Sequence, residues 1–176
     1  MSTLRSDPLL RGTRLLIVIV QALAGMAGAV LALAIPAIWL LRDKMTIVIL
    51  DEAAHRPDGQ ALALITLGIL CGIAIAALAF LFLRNLVAVI DTVDGGSPFI
   101  PVNARRLRAM GWLALAMQGV ALALKPVAGL LREAASQHSL SISFDLGGLL
   151  VALLLFILAR VFDHGTRLQE DIEGTV

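Results

Sequence analysis

Four long apolar stretches constrain this chain more than any other feature. The first two, residues 15–41 and 61–83, contain no charged side chain at all. A helix needs about 20 apolar residues to cross roughly 30 Å of hydrocarbon. The sequence therefore predicts an all-α integral membrane protein whose four transmembrane helices span about residues 15–41, 61–83, 111–131 and 146–160.

The composition agrees with this class of protein. Charged residues make up only 15% of the chain, whereas a soluble domain averages about a quarter. A length of 176 residues predicts one domain, 1–176. The net charge of +1 gives no basic footprint, so no direct nucleic-acid partner is predicted. The single cysteine, Cys71, excludes an intrachain disulfide and a Cys-rich metal site.

The placement of the basic residues predicts the orientation. The head, the stretch 84–110 and the tail 161–176 (with Arg160 counted in the tail) carry nine arginines, against four basic residues in the loops 42–60 and 132–145. Lys125 is left out of both groups as intramembrane. Because cytoplasmic loops carry the excess of Lys and Arg, we expect both termini and the central stretch in the cytoplasm.

The central stretch is predicted to begin as a helical extension of the second span. Gly95 and Gly96 are expected to end that helix, because glycine accepts the left-handed geometry of a helix C-cap. Asn103 is predicted to be the N-cap of the next helix. Apolar residues recur at helical spacing on this extension and on the tail. We therefore expect the two segments to pack on each other. The apolar residues of the extension, Leu86, Ile90 and Val93, would face those of the tail, Phe162, Leu168 and Ile172.

Two short stretches of the outer loops have the pattern of strands. Residues 46–50 are rich in β-branched side chains, and residues 139–144 alternate polar and apolar. We expect them to pair into a small extracytoplasmic β cap above the four helices. A lone two-stranded ribbon is only marginally stable, so it would have to rest on the helices or on another subunit. The sequence leaves open whether the chain forms a homo-oligomer.

The central stretch also carries a family resemblance. It contains a Gly-x-Pro-Phe turn, then Asn, then Arg-Leu-Arg before an apolar span, in the residues Gly96-Ser97-Pro98-Phe99, Asn103, Arg106-Leu107-Arg108 and Gly111. Together with residues 144–148, 159–162 and 165–171, this resembles a bacterial four-span membrane family catalogued as domain of unknown function 2975. The resemblance implies a bacterial inner-membrane protein. It also implies that a gene for a small helix–turn–helix regulator lies beside the gene of this protein. It assigns no catalytic residue.

Three arginines of this stretch, Arg105, Arg106 and Arg108, are candidates for partner binding. They either only satisfy the positive-inside rule and contact anionic lipid, or form part of a docking face for a cytoplasmic protein. We expect all three to be exposed.

Lys125 is the other informative residue, because an ionisable group inside a span is costly. It either marks an intramembrane cavity, or lies near the outer boundary and reaches water, or pairs with Asp145 or Glu133. Gln118 either adds polar lining to such a cavity or bonds between helices.

The remaining polar residues predict no chemistry. The histidines His55, His138 and His164 match no metal-ligand spacing, and no Ser-His-Asp arrangement or phosphate loop is present. We therefore predict a protein that is not an enzyme and has no cofactor. In the outer loops Asp51, Glu52, His55 and His138 could gather a divalent metal, but we interpret them as solvated loop residues. The leading hypothesis is a regulatory membrane protein that sequesters a small helix–turn–helix transcription regulator. The alternative is a small-molecule transporter or ligand-binding membrane protein that uses Lys125.

Overall fold

The computed structural model describes residues 8–45, 58–96, 98–135 and 146–173. These residues form four helices: α1 Pro8–Met45, α2 Asp58–Asp94, α3 Pro101–Ala135 and α4 Leu146–Glu173. Each helix contains a segment long and apolar enough to cross a membrane: Gly12–Leu40, Ala63–Asp94, Pro101–Pro126 and Leu146–Gln169. The prediction of an all-α, four-helix membrane protein is confirmed.

The predicted β cap is not supported. The ranges that the structure describes contain helices and one connecting turn, and no strand. Both stretches that were expected to pair, 46–50 and 139–144, lie outside the described residues.

The helices pack as a row in chain order. In the described part of the chain, α1 contacts α2, α2 contacts α3 and α3 contacts α4, while no Cα atom of α4 comes within 8 Å of one in α1 or α2. A row of this kind leaves much apolar surface uncovered, as at Leu40, which is 86% exposed. Exposed apolar surface on this scale is expected where lipid covers a protein.

Small residues bring α1 and α2 together. A Cβ atom built on Gly28 would lie 3.3 Å from the Cβ atom of Ala76, and one built on Gly72 would lie 3.2 Å from Cδ1 of Leu31. Helices in lipid gain no hydrophobic driving force from each other, so close backbone approach at small residues supplies much of their attraction.

Residues 95–100 connect α2 to α3, and we call the end of the row where they lie the turn end. The start of α1 is also there, because Nε of Arg14 lies 2.7 Å from Oδ1 of Asp91 near the end of α2. The last turns of α4 are there as well, because the rings of Phe99 and Phe162 lie 5.3 Å apart. The row therefore brings the start of its first helix and the last turns of its fourth helix to one side.

The buried core lies near the turn end, around α3. Leu107 and Met110 of α3 and Ala159 of α4 form its centre. Half-buried apolar side chains of both flanking helices pack against it: Phe82, Leu86, Leu155 and Phe162.

The expected direct packing of the α2 extension on the tail is therefore wrong. Leu86 and Phe162 both contact the core around α3, and α3 separates their helices. Leu168 stays 56% exposed, and the side chain of Ile172 lies outside the described residues. The reason is the shortness of the turn, which starts α3 at Pro101 and places its first turns directly beside α2.

Candidate functional site

The turn end begins where α2 stops. The Gly95 N–H donates to the Asp91 carbonyl at 3.2 Å, and the Gly96 N–H donates to the Val93 carbonyl at 3.0 Å. Gly96 has a φ of +78°, the left-handed conformation that glycine adopts without steric cost. The prediction that Gly95 and Gly96 end the helix is confirmed.

The start of α3 differs from the prediction. The helix begins at Pro101, and the Asn103 N–H donates to the Ile100 carbonyl at 3.0 Å. Proline is favoured at the first helical position, because its φ is already helical and no N–H group is lost there. Asn103 is thus the third residue of α3 and not its N-cap, which frees its side chain for other contacts.

The side chain of Asn103 joins three parts of the turn end. Asn103 is 0% exposed. Its Nδ2 donates to Oγ1 of Thr92 on α2 at 2.7 Å and to the Pro98 carbonyl at 2.9 Å. Its Oδ1 accepts a hydrogen bond from Nη1 of Arg106 at 3.2 Å. Both amide hydrogens and the amide oxygen are therefore satisfied, as a buried polar group requires.

Arg106 belongs to this network. Its Nη1 also donates to the Ala88 carbonyl of α2 at 2.9 Å, and the residue is half-buried. Arg105 and Arg108 are exposed. The expected face of three exposed arginines is therefore reduced to two. Residues three apart lie on the same side of a helix, whereas neighbouring residues point about 100° apart, which lets Arg106 face α2.

A glycine of α4 fits against the turn. A Cβ atom built on Gly165 would lie 2.7 Å from Cδ1 of Phe99, which is closer than a real Cβ atom comes. Beside it, the buried Thr166 hydroxyl donates to the Phe162 carbonyl at 2.9 Å. Sequence reasoning assigned no packing role to this glycine, although an isolated glycine inside a helical pattern is a signal of close packing.

A basic groove of about 430 Å³ lies between α3 and α4 toward the turn end. Its lining is Arg108, Phe156, Arg160, Asp163, His164 and Arg167. The helices approach closely beside it, because a Cβ atom built on Gly111 would lie 2.9 Å from Cε1 of Phe156. The Trp112 ring meets the Phe156 ring edge-on, with 5.5 Å between centroids. Sequence reasoning counted Arg160 and Arg167 only as topology determinants and named Arg108 as a partner-binding candidate, and it did not predict that the three converge.

The three intramembrane polar candidates are not seen together. Gln118 is half-buried, and its side chain lies where a Cβ atom on Gly148 of α4 would be. Lys125 is half-buried and directly precedes Pro126 of α3. Asp145 lies outside the described residues.

The part of the chain that the structure describes holds no cluster of His, Cys, Asp and Glu suited to a metal ion. His55 and His138 lie outside that part, so the sequence-based expectation about them is not tested.

Comparison with known proteins identifies the family. A family model described as a protein of unknown function (DUF2975) matches residues 46–176. No curated protein and no solved structure matches the chain. The matched residues cover most of the chain and include α2, α3, α4, the turn and the groove. They exclude all of α1. The chain belongs to the DUF2975 family.

Proposed function

We propose that this protein is a regulatory protein of the bacterial inner membrane that binds a cytoplasmic protein at its turn end. The observation that carries the proposal is the combination of a tightly bonded turn with two exposed arginines, Arg105 and Arg108, on the helix that leaves it. The partner that the family resemblance implies is a small helix–turn–helix transcription regulator. Held at the membrane, such a regulator is kept from its DNA until a signal releases it.

The burial of side chains along α3 supports the turn end as the binding region. Among the described residues of α3, the buried ones lie in its first half: Asn103, Ala104, Leu107, Met110, Gly111 and Ala114. The described side chains after Ala114 are half-buried or exposed. A binding surface on a rigid support costs less conformational entropy when the complex forms. The turn end is the part of α3 with that support.

Charge supports a protein partner with an acidic surface. The guanidinium group of arginine matches a carboxylate with two parallel hydrogen bonds. Arg105 and Arg108 are one turn apart on α3, so one acidic helix or loop can contact both. In this proposal the protein acts by binding and not by catalysis.

The orientation is tested with reporter fusions. The positive-inside rule supports a cytoplasmic turn end. A reporter fused at Asp58, at the start of α2, should report the outer side, and one fused at Val176 should report the cytoplasm. Equal readouts at the two positions would contradict both the four-span topology and a cytoplasmic docking face.

The docking face is tested with a matched pair of double variants. Arg105→Ala/Arg108→Ala removes the proposed contacts, and Arg84→Ala/Arg160→Ala removes the same charge from exposed arginines of α2 and α4 outside the docking face. The probe is a purified small helix–turn–helix regulator, the class of partner that the family resemblance implies, titrated onto the protein in detergent. We expect the first pair to weaken binding by roughly tenfold per arginine and the control to change it little. Equal affinities for both pairs would exclude this face.

The alternative function, a transporter or ligand-binding protein that uses Lys125, has less support. Gln118 is close to Gly148 at the α3–α4 interface, which fits the role of a bond or contact between helices. Lys125 lies in the last third of the predicted span 111–131, from where a long side chain can reach the membrane surface.

A further inference from the structure

We propose that the basic groove between α3 and α4 binds a phosphate group carried by an anionic phospholipid. Its chemistry would suit the phosphate of a lipid headgroup or of a soluble compound, and the continuation of the groove favours the lipid. The proposal goes beyond partner binding, because it assigns a ligand to residues of α4 that the docking face does not use.

The groove carries an excess of positive charge. Arg108, Arg160 and Arg167 contribute three guanidinium groups, and Asp163 contributes one carboxylate. With His164 neutral, the sum is two positive charges. Asp163 is already bonded to Arg167, with Nη2 and Oδ2 3.2 Å apart.

Two of these arginines are left to bind a ligand. Within the described ranges, no carboxylate or carbonyl is bonded to the guanidinium group of Arg108 or Arg160. An arginine binds a phosphate through two parallel hydrogen bonds, and two arginines facing one groove can hold one phosphate between them. A volume of about 430 Å³ is within the range of small-molecule sites and leaves room for a headgroup.

The groove continues into an apolar stripe. Leu149, Leu153, Phe156 and Arg160 follow each other on α4 at intervals of three or four residues, which places them on one side of the helix. Leu153 is 55% exposed, and Trp112, whose ring meets Phe156, is 64% exposed. A soluble phosphate would make no favourable contact with this apolar surface, whereas an acyl chain can cover it.

The length of the stripe fits one lipid leaflet. From Leu149 to Arg160 the rise along a helix is about 16 Å, and half of the hydrocarbon thickness is about 15 Å. Trp112 is a residue type enriched at the membrane interface. Basic pockets between helices at the cytoplasmic side are known to suit anionic headgroups. The geometry therefore places the phosphate at the interface and the chain along α4.

Trp112 supplies the measurement, because it contacts Phe156 at the wall of the groove. The chain has two tryptophans, so Trp39→Phe leaves Trp112 as the only reporter. The full-length protein in a neutral detergent is titrated at constant ionic strength with phosphatidylglycerol, with phosphatidylcholine and with inorganic phosphate. We expect a saturable change of Trp112 fluorescence with phosphatidylglycerol and none with phosphatidylcholine.

The variants are made in this background. Arg108→Gln/Arg160→Gln removes two guanidinium groups of the groove, and Arg84→Gln/Arg105→Gln removes the same charge from exposed arginines outside the groove. We expect the groove pair to lower the affinity for phosphatidylglycerol about 30-fold and the control pair to lower it much less. Circular dichroism and size-exclusion chromatography check that each variant is folded. If the groove pair does not fold, Arg160→Gln should weaken binding more than Arg160→Lys, which keeps the charge.

The outcomes separate the two sources of phosphate. A saturable response to inorganic phosphate that the groove pair abolishes would support the phosphate site and overturn its assignment to a lipid. Equal responses to phosphatidylcholine and phosphatidylglycerol would overturn the proposal. So would equal losses in the groove pair and the control pair. No protein partner is present in these titrations, so their failure leaves the docking face untouched.

Discussion

Replacing Asn103 with alanine tests whether its network holds the turn end together. The change removes three hydrogen bonds, to Thr92, Pro98 and Arg106, from a residue that is 0% exposed. A typical hydrogen bond contributes about 1 kcal/mol net. Asn103→Ala should therefore lower the free energy of unfolding by about 3 kcal/mol, because the Pro98 carbonyl and the Arg106 guanidinium each lose a partner inside the protein.

The matched control is Asn85→Ala on α2. Asn85 makes one side-chain hydrogen bond, from Nδ2 to the Leu81 carbonyl of its own helix at 2.9 Å, in an exposed position. Its loss should cost about 1 kcal/mol or less. The difference of about 2 kcal/mol corresponds to roughly a 30-fold change in the folding equilibrium. It can be measured by reversible unfolding with sodium dodecyl sulfate in mixed micelles, followed by circular dichroism.

A third variant separates hydrogen bonding from side-chain volume. Asn103→Asp has nearly the same shape and still accepts from Arg106, but it loses both N–H donors. Its carboxylate would then face the Pro98 carbonyl oxygen, so this variant should be no more stable than Asn103→Ala. The reasoning is refuted if Asn103→Ala lies within about 0.5 kcal/mol of Asn85→Ala, or if Asn103→Asp unfolds like the wild type.

Three glycine substitutions, two at the turn end and one control further along α3, can be measured by the same unfolding assay. Gly165→Ala should destabilise by about 1–3 kcal/mol, because its Cβ atom would lie 2.7 Å from the Phe99 ring. Gly119→Ala has no atom within 4 Å and should be neutral or stabilising; similar losses for both would contradict the packing. Gly96→Ala should cost about 1 kcal/mol, because φ is +78° there, and an unchanged stability would show that the turn relaxes.

What the sequence predicted well is what depends on local chemistry. The number of helices follows from the length of apolar runs, and the end of α2 at Asp94 follows from Gly95 and Gly96. These features need no knowledge of neighbouring helices. The prediction that Asn103 is an N-cap was wrong because it, too, rested only on local chemistry. Its capping propensity was correct as a local preference, but Pro101 begins the helix two residues earlier and sends the amide into the α2–α3 interface.

What the sequence could not predict is which helix covers which face. The apolar residues of the α2 extension and of the tail were identified, yet the position of α3 between them depends on how a six-residue turn at 95–100 returns the chain. The arginines show the same limit. Counting charges groups Arg105, Arg106 and Arg108 together, whereas the α2 carbonyl at Ala88 selects Arg106. The groove needs α4 as well, which no local pattern supplies.

The two proposals meet at Arg108, and this gives a prediction that neither makes alone. Arg108 belongs both to the docking face and to the lining of the groove. One guanidinium group cannot bond fully to a partner's carboxylate and to a phosphate at once, so the two ligands should weaken each other. Linkage requires that each lowers the other's affinity by the same factor. Adding phosphatidylglycerol to the micelles should therefore reduce regulator affinity, and saturating regulator should reduce the affinity measured at Trp112 equally. Unequal fold-changes in the two affinities would show that the two measurements report different sites or non-equilibrium binding. If neither ligand changes the affinity for the other, the docking contacts involve Arg105 without Arg108.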